Sequence, residues 1–146
     1  MSTNPKLRDI YKLPSIVLLF IGLYDVLRGI MHTYVLTWSA ENFAKFDMAT
    51  VPEDQVFMLG VFGISNFLTG FLFLLIACKA RELSPYVLIL IPVTYLVGIL
   101  GIRSVGIQGQ SEYYGQYFMF VYFGICTLTF FVFLFQWKAT QPVRSR

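Results

Sequence analysis

A chain of 146 residues suits one compact domain. It is 57% hydrophobic and 13% charged, about half the charged share of an ordinary soluble domain, and its mean hydropathy is +0.68. A water-soluble fold of this size needs more polar residues to cover itself, so the composition excludes a soluble globule and points to lipid as the solvent. The net charge of +3 comes from basic residues flanking apolar runs, with no basic stripe or aromatic-interleaved groove, which argues against a nucleic-acid partner.

Four apolar segments reach the roughly 20 residues needed to cross a bilayer. The first covers 14–36, with Pro14 in its first turn. It is too long for a signal peptide, holds Asp25 and Arg28, and lacks a small-residue cleavage site, so it reads as a retained helix. In 38–48, Trp38, Phe43, Ala44 and Phe46 lie close together, which fits a short interfacial helix or an ordered loop equally well. The second span covers 51–78, with Thr50 and Glu53 spaced as a capping box and Pro52 between them. The third covers 85–102, with Ser84 as N-cap, Pro85 at the first helical position and a kink expected at Pro92. The fourth covers 112–135 behind Ser111 as N-cap, and a flexible tail is expected over 140–146. Tyr11, Trp38, Tyr113, Tyr114 and Trp137 fall where an aromatic belt belongs. Cys78 and Cys126 form no CxxC pair and read as small apolar packing residues.

Lysine and arginine orient the spans. Lys6, Arg8, Lys12, Lys79, Arg81, Lys138, Arg144 and Arg146 fall on one side, against Lys45 and Arg103 on the other. The first loop of the poorer side also carries Glu41, Asp47, Glu53 and Asp54. Both termini are therefore expected in the cytoplasm, with the chain in the cell (inner) membrane. This layout resembles several groups of small four-span proteins, DoxX-like ones included, in topology alone.

The anomaly is the first span. Asp25, Arg28 and His32 stand at i, i+3 and i+7, so one helix face carries all three. Gly22 and Gly29 lie on or beside that face and would let a neighbour approach closely. Twelve Leu, Ile, Val and Phe residues in this span favour insertion by about 4 to 7 kcal/mol. Asp25 and Arg28, if central and unpaired, oppose it by about 5 to 7 kcal/mol. The balance is near zero, so this helix is expected inside the bundle with its polar face partnered. Depth matching names Asn66, with Ser65 and Thr69, at the level of Asp25. It sets Tyr122 near Arg28, Gln116 and Tyr117 near His32, and Arg103 and Glu112 at the outer rim. Together these would form a polar pocket opening outward. The glycines of the second span, Gly60, Gly63 and Gly70, and those of the third, Gly98 and Gly101, suit close helix contact.

Specific chemistries find little support. Asp25 and His32 are about 10.5 Å apart along the axis, too far to share a metal ion at bond lengths near 2 Å. With His32 as the single histidine, a bis-histidine haem cannot form within one chain. No strand-turn-helix elbow or local motif supports a Ser or Cys nucleophile. Gly106 and Gly109 have no P-loop lysine beside them. No catalytic residue, metal or cofactor is expected. The fold expected is an all-α integral membrane protein, a four-transmembrane-helix bundle in which consecutive spans are neighbours. The activity expected is that of a non-catalytic accessory or structural subunit, in a homo-oligomer or larger membrane complex. The alternative is a lipid- or small-molecule-binding or transport protein using the pocket around Asp25, Arg28, Asn66 and His32. A subunit of a membrane oxidoreductase is more remote.

Overall fold

A computed structural model describes residues 9–106 and 114–140. Its helices are α1 (Lys12–Thr33), α2 (Leu36–Asn42), α3 (Glu53–Lys79), α4 (Ser84–Ser104) and α5 (Gly115–Thr140), with a single 3-10 turn at Arg81–Leu83 before α4. Four of them, α1, α3, α4 and α5, are long and apolar enough to cross a membrane. These are the four spans of the sequence, shifted by one to five residues at their ends. The start expected for the fourth span at Ser111 and Glu112, and the tail beyond Thr140, lie outside the described residues.

Contacts fix the order of packing. Helix α1 antiparallel to α3 makes the most extensive pair, α4 with α5 the next, and α1 touches all three other spans. Helices α3 and α4 meet only sparingly, and the backbones of α3 and α5 do not come close together. The expectation that consecutive spans are neighbours holds for the first and last pairs and is weak for the middle one, where the short turn joins the helices at one end only. Tyr11 lies 5.5 Å from Phe133, Tyr24 5.8 Å from Tyr122, and Phe43 6.2 Å from Phe118, so α1 and α5 run antiparallel. The end holding Tyr11, the Arg81–Leu83 turn and Thr140 is called the terminal end below, and the opposite one the distal end.

The pattern of α1 follows from its sequence. Leu13, Ile16, Phe20, Leu23, Leu27 and Ile30 are exposed, at alternating three- and four-residue steps, and form a lipid-type stripe. Pro14, Ser15, Leu18, Ile21, Gly22, Asp25 and Gly29 are buried on the other side. Close approach to α3 depends on glycines. A methyl group on Gly22 would come 3.0 Å from the Gly70 carbonyl oxygen, and one on Gly70 would come 2.8 Å from the Val26 nitrogen. Further toward the distal end, Gly63 sits against His32 and Thr33, and Gly29 against the ring of Phe67. Gly98 and Gly101 of α4 behave differently: a methyl there would meet nothing within 4 Å.

Two capping signals resolve otherwise than expected. Pro52 occupies the N-cap position of α3 with no side-chain cap. The Thr50 hydroxyl instead donates to the Asp47 carboxylate at 3.0 Å, within a turn that Asp47 already closes on the Ala49 amide at 3.0 Å. Ser84 is the first residue of α4, behind Leu83. Its hydroxyl lies 3.2 Å from that of Ser15, which also donates to the Tyr11 carbonyl at 2.8 Å. Ser15, Ser84, Pro14, Pro85, Leu18 and Leu88 are all buried, so α1 and α4 are tied near the terminal end. Pro92 is held within one continuous helix. At the distal end, residues 38–48 begin as the short helix rather than as a loop. Trp38 meets Phe43 edge-on at 5.6 Å, and the loop behind α2 reaches the residue preceding α5, where Lys45 Nζ stands 4.0 Å over the Tyr114 ring.

Candidate intramembrane polar site

The core cluster of Leu18, Ile21, Ala77, Leu88, Tyr122 and Cys126 is apolar up to Asp25, which is 4% exposed. Arg28 follows one turn along the same face, and its Nη1 lies 3.4 Å from Asp25 Oδ1. This is the only ion pair among the described residues. The other carboxylate oxygen accepts from Tyr122 of α5 at 3.1 Å and lies 3.4 Å from the Thr69 hydroxyl of α3. Thr69 has one proton for three acceptors, the others being the Ser65 and Asn66 carbonyls at 3.2 Å, so Tyr122 is the firmer partner. Asp25 thereby bridges α3 and α5, two spans whose backbones do not approach closely. A buried carboxylate is tolerated only with such company.

Toward the distal end the arrangement is looser. The Arg28 side chain is 28% exposed, and its guanidinium leans over the Tyr24 ring at 5.9 Å. Asn66 of α3 lies one turn distal of Thr69, as Arg28 lies one turn distal of Asp25. Its Nδ2 is buried without a hydrogen-bond partner. His32 is half-buried, and its Nδ1 lies 3.0 Å from the Ser39 hydroxyl of α2. Ser39 is fully buried, so this bond pins the short helix back onto the end of α1.

The structure therefore brings together Asp25, Arg28, Thr69 and Tyr122, with Asn66 beside them. Tyr122 engages Asp25 rather than Arg28, because the Arg28 side chain rises toward Tyr24. Gln116 is half-buried in α5 and makes no hydrogen bond to His32, whose partner is Ser39 instead. Arg103 is exposed at the distal end of α4, away from the cluster, and Glu112 lies outside the described residues. Sequence reading did not name Ser39. Its signal was present, since a serine seven residues beyond His32 returns to the same side once the helix breaks at Tyr34 and Val35. Two apolar surface grooves exist, one on Phe46, Asp54, Gln55, Met58, Leu59 and Phe62, the other on Leu83, Tyr86, Val87, Ile89, Leu90 and Val93. Neither is lined by the polar cluster. Among the described residues, no three His, Cys, Asp or Glu side chains converge as a metal site would require.

Chemically, the Asp25 carboxylate is closed in: each of its oxygens has a donor. One turn distal, the Arg28 side chain is part-exposed, Asn66 Nδ2 is buried, and donors exceed acceptors. The resemblance to small four-span proteins is one of layout. No protein-family model matches the chain, and comparison with curated proteins and with solved structures finds no match either.

Proposed function

We propose that this four-span helical membrane protein is a non-catalytic subunit of a membrane complex, and that the distal half of α4 is the face it offers to a partner's transmembrane helix. The observation that carries this reading is the bareness of that half-helix. Residues 93–106 are all exposed except the half-buried Ile99, and Gly98 and Gly101 have open space before them. Glycine inside a helix costs about 1 kcal/mol relative to alanine. On a face that only lipid covers, nothing offsets that cost, whereas a helix packed on it would gain close backbone contact. Arg103 at the rim of the same stretch favours a partner with an acidic group at that depth. In this reading the Asp25 cluster is a packing tie, since its oxygens are satisfied from within. Both termini are cytoplasmic, following the excess of Lys and Arg at the terminal end, and the membrane is the cell (inner) membrane.

Single cysteines at Gly98 and Gly101, in a chain freed of Cys78 and Cys126, test the reading by cross-linking in intact membranes. A defined adduct of higher mass is expected at one or both positions. It should be absent from a control cysteine at Phe20, on the lipid stripe of α1. Equal reactivity at all three positions with no defined adduct, together with a monomeric mass after gentle solubilisation, would sink the proposal.

A further inference from the structure

We infer that Arg28 and Asn66 form a binding site for the oxyanion of an anionic amphiphile, a carboxylate or phosphate group on an apolar tail, entering from the bilayer between α3 and α5. The inference is independent of the α4 face and goes beyond a packing role.

It starts from an imbalance. Asp25 satisfies its two oxygens with Arg28, Tyr122 and Thr69. A guanidinium has five N–H donors, and Arg28 makes one hydrogen bond, at the long distance of 3.4 Å, to Asp25. One turn along α3 from Thr69, Asn66 Nδ2 is a second donor, buried and without any partner. Water meets unfilled donors in a soluble protein. At this depth in a bilayer it is scarce, and each unmet donor is costly. The unmet atoms, the free guanidinium N–H groups and Asn66 Nδ2, are donors and one group is a cation, so the missing component is an acceptor carrying negative charge. Arginine's planar fork suits a carboxylate or phosphate in particular.

Helix register sets the two groups at one level, and the helix packing gives a route. Thr69 and Asp25 meet at one level, and Asn66 and Arg28 each stand three residues distal of them, about 4.5 Å higher on the same faces. Arg28 leans over Tyr24, which packs against Tyr122 of α5, while Asn66 belongs to α3. Asn66 as a residue is half-buried, so its amide can turn to face an incoming group, and an oxyanion held between it and Arg28 would join α3 to α5 in the upper layer as the Asp25 carboxylate joins them in the lower one. Since the backbones of α3 and α5 nowhere come close together, the tail is expected to leave sideways between them into lipid.

The experiment titrates purified full-length protein in detergent with four probes, phosphatidylglycerol, oleate, diacylglycerol and inorganic phosphate, and reads bound mass by native mass spectrometry. One equivalent of phosphatidylglycerol or oleate is expected, and which of the two binds more tightly identifies the head group. Affinity should fall at least tenfold in Arg28→Gln and in Asn66→Leu and be partly kept in Arg28→Lys. Diacylglycerol bound as tightly as the anionic probes would overturn the inference, as would wild-type affinity in both Arg28→Gln and Asn66→Leu. Inorganic phosphate bound as tightly as phosphatidylglycerol would overturn the amphiphile. Should either variant fail to fold, a photoactivatable oleate on the wild-type protein decides the matter. Labelling beside Asn66 on α3 or beside Tyr122 on α5 supports the site, and labelling confined to the outer face of α4 refutes it.

Discussion

Helices α1 and α4 have nearly the same length, 22 and 21 residues, and opposite fates. Helix α1 is the least apolar of the four spans and the most buried, whereas α4 is strongly apolar and the least buried. In water the ranking would be reversed. In lipid the polar residues need the protein, and an apolar helix is at ease outside it. The interior of this bundle is therefore set by where Asp25 and Arg28 must go, and α4 is attached mainly through its terminal half, by Ser84, Pro85 and Leu88.

That contrast can be broken first at Asp25. Asp25→Ala leaves the Arg28 charge and the Tyr122 hydroxyl without their partner, so a loss of about 3 kcal/mol is expected. The double change Asp25→Leu with Arg28→Leu should recover most of it. Unfolding in mixed micelles, followed by labelling of the buried Cys126 thiol in a Cys78→Ser background, reads both; equal stability of the single and double variants would break the account. Next comes Gly70→Ala, whose methyl meets backbone atoms of Val26 and Gly22. Helix α3 must shift, and about 2 kcal/mol should be lost. The same change at Gly98 should leave the isolated protein's stability within about 0.5 kcal/mol, because space is open there. Comparable losses at both glycines would erase the distinction between the helices. Tyr122→Phe removes one hydrogen bond to a charged group and should cost about 1.5 kcal/mol. A smaller loss, about 1 kcal/mol, is expected of Ser84→Ala, detectable as faster exchange of amides in the first turn of α4. No change there would mean that proline and leucine packing alone ties the helix.

Much of this was legible in the sequence. Hydropathy located the spans because a bilayer fixes their length, and the near-zero insertion balance of the first span foretold its interior place. Depth alone brought Thr69, Asn66 and Tyr122 to the level of the Asp25–Arg28 pair. What depth cannot give is the direction in which each residue points around its helix. Gln116 has a suitable height near His32 and takes no part in its hydrogen bond, while Ser39, unnoticed, holds it. Ser84 and Thr50 carried genuine N-cap chemistry and were drawn to closer partners, Ser15 across the helix interface and Asp47 within its own turn. The bareness of Gly98 and Gly101 was illegible too, because glycine spacing reports the capacity for close contact and not whether a helix is present to use it.

The bond between Tyr122 and Asp25 spans 97 positions of the chain, and that separation has a consequence in time. During synthesis Asp25 enters the membrane long before its firmest partner exists. At about 5–20 residues per second, the interval is roughly 5–20 s. For that period the nascent α1–α3 hairpin holds a carboxylate with only Arg28 and the shared hydroxyl of Thr69 to shield it. The newborn protein is thus most exposed to membrane quality control before its last helix arrives. A ribosome stalled between α4 and α5 should leave a chain that membrane proteases clear faster than the finished one.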